Sequence, residues 1–380
     1  MMKIYLDHAA TTPIHPKVIE TFTNALNTEY GNPSSIHQIG RAARKALDNA
    51  RKMLSASIGA KPTEIIFTSG GTEANNTALF GIASVMKSKG NHIITTNIEH
   101  HAVLNTCKQL EQLGFRLTIL EVDENGQVKA EQVANALTDD TILVSVMMGN
   151  NEVGTIQPIA EIGALLKSHQ AVFHTDAVQA YGVIPIQVDL LGIDLLSVSA
   201  HKLNGPKGIG FLYARTNTAV TPLVFGGEQE RKRRAGTENV PAIVAFQKAV
   251  EVATGSMAGA AEKYAKYEAL LVEKLQVNHV QFKINAEQVK RLPHITNISF
   301  VGTDIESFLV NLDMAGICVS SGSACTAGSL DPSHVLTAMY GKGAPELRNS
   351  VRFSYGHGLT MKDIELAAEK TAAIIDRLVK

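Results

Sequence analysis

The sequence has no tryptophan, only three cysteines among 380 residues and almost no net charge. Cys107, Cys318 and Cys325 cannot form a disulfide framework, and their spacing fits no zinc site. The 35 basic and 36 acidic side chains lack the basic excess of a dedicated nucleic-acid-binding protein. No apolar run approaches the ~18 residues of a membrane span, and the N-terminus lacks the apolar core of a secretory signal. We therefore expect a soluble cytoplasmic protein without a metal site.

The chain is long and apolar enough to hold more than one hydrophobic core. Apolar residues make up 45% and charged residues 19%, which excludes a disordered protein. Since 380 residues exceed what one core usually supports, we expect two domains. Strand and helix patterns alternate over residues 62–214, and the strands are apolar on both faces. This is typical of a doubly wound α/β domain with a mostly parallel sheet; the rest of the chain predicts a smaller α+β domain.

The same patterns predict individual elements. The predicted strands are 64–68, 92–96, 115–122, 141–147, 171–175, 195–199, 208–214, 295–300 and 350–354. The predicted helices are 72–87, 100–113, 130–137, 159–168, 241–275 (as one helix or two), 304–314 and 361–378.

A glycine-rich turn joins the first predicted strand to its helix. In residues 69–73 (SGGTE), backbone N–H groups near Gly71 and the Thr72 hydroxyl would face an anion at the helix N-terminus. The spacing matches neither the Gly-x-Gly-x-x-Gly fingerprint nor a Walker A motif. An ordinary strand–helix turn that needs glycine for its backbone is an equal alternative.

Polar residues end two later strands of the predicted sheet. His174 and Asp176 alternate onto one face at a strand end, where open α/β sheets bind ligands. They fit either a metal pair or a capping Asp with a hydrogen-bonded His. Ser199, His201 and Lys202 follow the next strand. Lys202 is either a nucleophile within a phosphate-binding surround or a solvated loop lysine.

The order of these features matches the needs of pyridoxal 5′-phosphate (PLP). This cofactor forms an imine with a lysine, keeps its ring nitrogen protonated beside an acid, and needs donors for a dianionic phosphate. Nicotinamide and nucleotide-hydrolysis chemistries have no use for this set. Thr72, Asp176 and Lys202, in this order, therefore favour PLP.

Three further features are candidates from local sequence. His100 and His101 begin a helix and point about 100° apart, so they cannot both ligate one metal; one could stack on a flat cofactor and move protons. Arg352 lies mid-strand and either grips a substrate carboxylate or forms a structural ion pair. The basic run 231–234 lacks interleaved aromatic residues, which favours a solvated or interface surface over RNA binding.

Cys325 differs from the other two cysteines in its surroundings. Residues 319–328 (VSSGSACTAG) are small and flexible, whereas Cys107 and Cys318 lie in apolar stretches typical of packing. Cys325 would be mobile and accessible, as a reactive thiolate requires; a chance loop cysteine is the alternative.

Together the motifs resemble those of the cysteine desulfurases, PLP enzymes of fold type I in the class V aminotransferase family. The matching stretches run from 5–12 (YLDHAATT) to 351–354 (VRFS), which is essentially the whole chain. They include 149–154 (GNNEVG) and 320–326 (SSGSACT), the latter typical of the group with the long catalytic loop. The stretch 233–241 is most similar to Firmicute enzymes that serve tRNA 2-thiolation.

The resemblance implies how the cofactor would be held. Lys202 would form the imine and move protons, Asp176 would pair with the ring nitrogen, and Gln179 with the phenolic oxygen. His100 would stack on the ring and act as an acid–base group. The phosphate would be bound by Gly71, Thr72, Ser199, His201 and, from the second subunit of a homodimer, Thr237.

The resemblance also implies how the substrate, L-cysteine, would be handled. Asn151 would contact cofactor and substrate, and Arg352 would hold the substrate. Cys325 would take the substrate sulfur as a persulfide and leave L-alanine. The sulfur would then pass to an acceptor protein, either a tRNA thiouridylase or an iron–sulfur scaffold.

A large PLP-binding domain would span residues 13–252. A small α+β domain, residues 1–12 with 253–380, would carry Cys325 and Arg352. Two alternatives stand beside this interpretation. One is another fold type I enzyme, such as an aminotransferase, which gives Cys325 no role; the other is a non-catalytic scaffold for sulfur-assembly partners.

Overall fold

The computed structural model describes residues 3–321 and 332–379, so the predicted nucleophile Cys325 lies outside the described residues. The strands are β1 Ile4–Tyr5, β2 Ile65–Thr68, β3 His92–Thr96, β4 Arg116–Leu120, β5 Thr141–Ser145, β6 Val172–Asp176, β7 Leu195–Ser199, β8 Gly210–Ala214, β9 Phe282–Ile284, β10 Ile295–Phe300, β11 Ile317–Cys318 and β12 Ser350–Ser354. The helices are α1 Pro16–Thr28, α2 Gln38–Ala56, α3 Gly71–Met86, α4 His101–Gln112, α5 Ala130–Ala136, α6 Ile159–Leu166, α7 Gln229–Lys232, α8 Val240–Val277, α9 Ile305–Met314, α10 His334–Tyr340, α11 Glu346–Asn349 and α12 Met361–Val379. Short 3₁₀ turns occur at Pro62–Glu64 and Ala200–Lys202. Within the described ranges, no helix combines the length and apolar character of a membrane span.

A seven-stranded sheet with the order β2-β8-β7-β6-β5-β3-β4 organises the first part of the chain. The neighbours from β7 to β4 are parallel, and β8 runs antiparallel between β2 and β7. The predicted mostly parallel α/β fold is therefore confirmed. Because parallel strands end at one edge of the sheet, Asp176 at the end of β6 and Ser199 at the end of β7 lie at the same edge, with Asp176 paired to Ser197.

The predicted elements correspond closely to the observed ones, and the stretch 241–275 forms the single helix α8. Helices α1 and α2, the short helices α7, α10 and α11, and the short strands β1, β9 and β11 were not predicted. A signal is present in α2, where the buried residues Ala43, Leu47, Ala50 and Leu54 recur at helical spacing.

Helix α8 joins two hydrophobic clusters. Near its start, Phe246 and Val250 pack in the cluster of the large sheet. Near its end, Tyr267 and Leu271 pack in a second cluster that covers the antiparallel sheet β12-β10-β9. The helix thus passes from one cluster to the other between Val250 and Tyr267. The sequence predicts a domain boundary after residue 252, within this interval; the boundary itself stays a prediction.

Candidate active site

A cavity of about 360 Å³ opens at the carboxyl edge of the large sheet, within the ~300–1,000 Å³ of small-molecule sites. It gathers predicted site residues that are far apart in sequence. Those that line it are Gly71, Thr72, His100, Asn151, Asp176, Gln179, Ser199, His201, Lys202 and Arg352. Thr237 is exposed and does not line the cavity of its own chain.

Lys202 is positioned by the N-terminal segment of the chain. It ends the 3₁₀ turn after β7, and its Nζ donates to the carbonyl oxygens of Ala9 at 2.6 Å and Ala10 at 2.8 Å. The Gln179 side chain donates through Nε2 to the same Ala9 oxygen at 2.9 Å. The amine that the sequence singled out is therefore held in the cavity rather than solvated as a loop lysine.

Asp176 is a buried acid with two protein donors. Its Oδ2 accepts from Asn75 Nδ2 at 2.7 Å, and its Oδ1 accepts from the backbone N–H of Val178 at 2.9 Å. Asn75, in α3, is buried and lines the same cavity, yet it was not among the predicted site residues. Only its place four residues after Gly71, on the same side of a helix, could have indicated it.

His100 caps the N-terminus of α4, where its Nδ1 accepts from the backbone N–H of Ala102 at 3.1 Å. Burial lowers its pKa; the nearby Asp176 opposes this shift, and Lys202 reinforces it. The ring is therefore neutral at neutral pH and carries its proton on Nε2, since Nδ1 acts as an acceptor.

Two of the predicted phosphate-binding residues, Gly71 and Thr72, begin α3, and Ser199 and His201 lie beside this helix N-terminus. Gly70 precedes this helix with a φ of 147°, and a Cβ on Gly71 would approach Val178 Cγ2 to 2.6 Å. The His201 ring contacts Thr11 Oγ1 through Nδ1 at 3.1 Å, and burial lowers its pKa to about 4. Any side chain at position 71 would therefore clash with Val178, and the glycine leaves the first N–H groups of α3 as a cradle in which an anion could bind.

Arg352 also lines the cavity and is only 2% exposed. Its guanidinium donates to Asp7 Oδ1 at 2.8 Å and to the carbonyl oxygen of Asn151 at 2.7 Å. Its Nε has no hydrogen-bond partner within the described part of the chain. The structural ion pair, one of the two alternatives from the sequence, is present; the guanidinium also lines the cavity, so the other alternative, a bound substrate carboxylate, stays a prediction.

His174 is hydrogen-bonded within the sheet, as one of the two interpretations of the sequence expects. Its two ring nitrogens contact the hydroxyls of Ser145 at 2.8 Å and Ser197 at 3.0 Å, and burial lowers its pKa to about 3. Across residues 3–321 and 332–379, no group of three or more His, Cys, Asp or Glu side chains is arranged for a metal. Burial also raises the pKa of the Cys107 thiol to about 12, which fits a packing role.

The residues in the cavity fit PLP. The amine of Lys202 and the carboxylate of Asp176 share one pocket, as an imine and a protonated ring nitrogen require. The N-terminus of α3 at Gly71 and Thr72 lines the same cavity, as an anion site requires, and the buried Asn75 Oδ1 has no described partner. A buried hydrogen-bond acceptor is thus free to bind a ligand in the cavity.

Comparison with known proteins gives consistent matches over the whole length. Residues 4–366 match the family model described as aminotransferase class-V. A protein of Bacillus subtilis (strain 168) named putative cysteine desulfurase IscS 1 is 56% identical, with 100% of both chains covered. Cysteine desulfurase IscS of Clostridium botulinum (strain Hall) is 46% identical over 98% of this chain and 94% of its own.

Two solved structures are also similar to this chain over most of its length. A NifS-like protein superposes with a TM-score of 0.92 at 35% identity, covering 99% of this chain and 100% of the other. A structure described as SspA in complex with cysteine superposes with a TM-score of 0.82 at 37% identity, covering 93% and 98%.

Proposed function

The chain belongs to the aminotransferase class-V family as a PLP-dependent cysteine desulfurase, and we propose that its Cys325 takes up the sulfur of L-cysteine at the cavity beside Lys202. One observation carries this proposal: an amine, a buried acid, an imidazole and an anion cradle line a single cavity. When bound, PLP accepts the electron pair left on the substrate α-carbon and so weakens the bond between the substrate Cβ and sulfur.

We propose that the residues lining the cavity each contact a particular part of the cofactor. Asp176, held by Asn75, would face the ring nitrogen, and the Gln179 amide the phenolic oxygen. His100 would lie against the ring. The phosphate would be held by Gly71, Thr72, Ser199 and His201, with Asn151 contacting cofactor and substrate.

Proton movements would then use two side chains. Lys202 Nζ would take the proton from the substrate α-carbon. His100 would be the second acid–base group; because burial lowers its pKa, its resting ring is neutral and would offer the Nε2–H as a hydrogen-bond donor to the substrate. Arg352, whose Nε has no acceptor among the described residues, would bind the substrate carboxylate while Asp7 holds the guanidinium in place.

The sulfur step belongs to Cys325. Its thiolate would attack the substrate sulfur, so that an S–S bond forms as the Cβ–S bond breaks. The electron pair of the broken bond stays on Cβ, which is protonated to the methyl group of L-alanine. Cys325 is left as a persulfide.

The proposal extends to partners and location. The persulfide sulfur would pass to an acceptor protein of the cytoplasm, a tRNA thiouridylase or an iron–sulfur scaffold. In a homodimer, Thr237 of the partner subunit would reach the phosphate. A large domain of residues 13–252 would carry the cofactor, and the small domain would bring Cys325 to it. Transfer of ³⁵S from labelled cysteine to each acceptor class, run in parallel, distinguishes the acceptors.

The test of the activity is Cys325→Ser, with Cys318→Ser as the matched control. Cys325→Ser should keep the visible absorbance of bound PLP but release neither alanine nor sulfide from L-cysteine, whereas Cys318→Ser should turn over normally. Full turnover by Cys325→Ser refutes the assignment. Accumulation of a keto acid by the wild type would identify an aminotransferase, and a protein that binds no PLP would identify a scaffold.

A further inference from the structure

His294 lies behind Gln179, on the side away from the open cavity. It precedes β10, is 7% exposed and does not line the candidate active site. Its Nε2 lies 3.4 Å from Gln179 Oε1. Nothing in the proposed chemistry so far uses this residue.

The hydrogen bonds of Gln179 determine which ring nitrogen of His294 carries the proton. The Ala9 carbonyl can only accept, so the amide NH₂ of Gln179 must face it and Oε1 must face His294. His294 therefore donates from Nε2. Burial lowers its pKa to about 3, so the ring is neutral and its Nδ1 is an acceptor. Among the described residues, that Nδ1 has no partner.

The ring also borders a small chamber on the other side of Lys202. The chamber holds about 70 Å³ and is lined by His8, Lys202, His294 and Tyr355, among others. His8 is buried as well, and its Nδ1 likewise lacks a partner in the described ranges. A water molecule occupies about 30 Å³, so the chamber has room for about two.

We propose that His294 is a positioning residue that fixes the orientation of the Gln179 amide. With Oε1 anchored by His294, one amide N–H of Gln179 binds Ala9 and the other points into the cavity. This inference rests on the proposed function, because the second N–H would meet the phenolic oxygen of PLP. A rotated amide would set its oxygen against two acceptors, the Ala9 carbonyl and the phenolic oxygen.

The expected consequence is a change in the acid–base behaviour of bound PLP. A donor to the phenolic oxygen stabilises the deprotonated form of the chromophore and lowers its pKa. Without His294 the amide is free to rotate, and this donor is lost for part of the time. The pH midpoint of the visible absorption band should then rise.

The test is a pH titration of that band in the PLP-loaded protein without substrate. His294→Phe should raise the midpoint by about 0.5–1 pH unit. His294→Gln places an amide NH₂ near the position of Nε2 and should stay close to wild type. His92→Phe is the matched control, since His92 is a buried neutral imidazole that does not line the cavity; its midpoint should not move.

Equal midpoints for His294→Phe and wild type overturn the proposal, as does an equal rise in His294→Gln or His92→Phe. A wild type that binds no PLP, and therefore has no visible band, overturns the proposed function instead. ¹⁵N NMR of histidine-labelled wild type keeps the idea testable if His294→Phe does not fold. The signal absent from His294→Gln must show a protonated Nε2 and no titration near pH 6.5; a protonated Nδ1 contradicts the proposal.

Discussion

Lys202 and Gln179 donate to the same acceptor, the carbonyl oxygen of Ala9, at 2.6 and 2.9 Å. The N-terminal segment thereby sets the spacing between the amine and the amide at the cavity. Two residues earlier, Asp7 binds the guanidinium of Arg352. A segment without catalytic groups of its own thus orients three side chains of the candidate site.

Asn75→Ala removes the side-chain donor to the buried Asp176 carboxylate. We expect the free energy of unfolding to fall by about 1–3 kcal/mol, because a buried charged acceptor loses a hydrogen bond. Urea unfolding of the cofactor-free protein measures this, and equilibrium titration should show roughly tenfold weaker PLP binding, the equivalent of about 1.4 kcal/mol. Asn27→Ala, at an exposed position of α1, is the control; equal losses in the two variants would contradict the role of Asn75.

Arg352→Lys keeps the positive charge but cannot reach Asp7, Asn151 and a substrate carboxylate together. We expect KM for L-cysteine to rise by about 10–100-fold, with kcat within a few-fold of wild type. Steady-state alanine formation checks this. Arg44→Lys, in an exposed pair with Asp48, should leave both constants unchanged. A fall in kcat at unchanged KM would assign Arg352 to a later step.

Glu99 predicts a pH dependence of stability. It is fully buried, Oε1 accepts from Met147 N–H and Thr96 Oγ1, both at 2.8 Å, and burial raises its pKa to about 8. Between its ordinary pKa and about 8, the folded protein keeps a proton that the unfolded chain has lost. Stability from this group is therefore lost as pH rises through that window and levels off above it.

Glu99→Gln removes this titration while keeping the shape of the side chain. The difference between the Tm of this variant and that of wild type should grow by a few °C as the pH rises from 5 to 8. Above about pH 8.5 the difference should stay constant. Scanning calorimetry in a pH series measures it. Glu228→Gln, at an exposed position, should give a Tm difference independent of pH; the same result for Glu99→Gln would show that Glu99 is ionised when folded.

Glu230 holds a strained turn in front of Thr237. Glu230, Arg231 and Lys232 have φ values of 47°, 59° and 65°, and the buried Glu230 carboxylate binds Arg51 and the N–H of Phe67. Such left-handed residues persist only where their surroundings hold them. Glu230→Ala should cost about 3–5 kcal/mol, because Arg51 is left unpaired.

Trypsin can measure the loosening of this turn in Glu230→Ala, because the basic residues 231–234 are trypsin cleavage sites. Glu230→Ala should be cleaved there at least tenfold faster than wild type. Glu228→Ala removes only an exposed pair with Lys232 and should be cleaved at the wild-type rate. Equal cleavage of the two variants would show that the turn does not depend on the buried pair.

The sequence determined the architecture and the types of group at the site. Alternating strand and helix patterns predicted the parallel sheet, because each period reports locally which faces are buried. Asp176 and Ser199 were predictable because parallel strands end at one edge. The glycine turn at Gly71 was also predictable, because it directly follows a strand.

Tertiary structure alone decided the contacts and the protonation states. Ala9 and Lys202 are separated by 193 residues, and Asp7 and Arg352 by 345, so no local pattern could pair them. The neutral ring of His100 and the raised pKa of Glu99 result from burial, which depends on all surrounding elements. His294 carries no motif; only the folded chain sets its ring against the Gln179 amide.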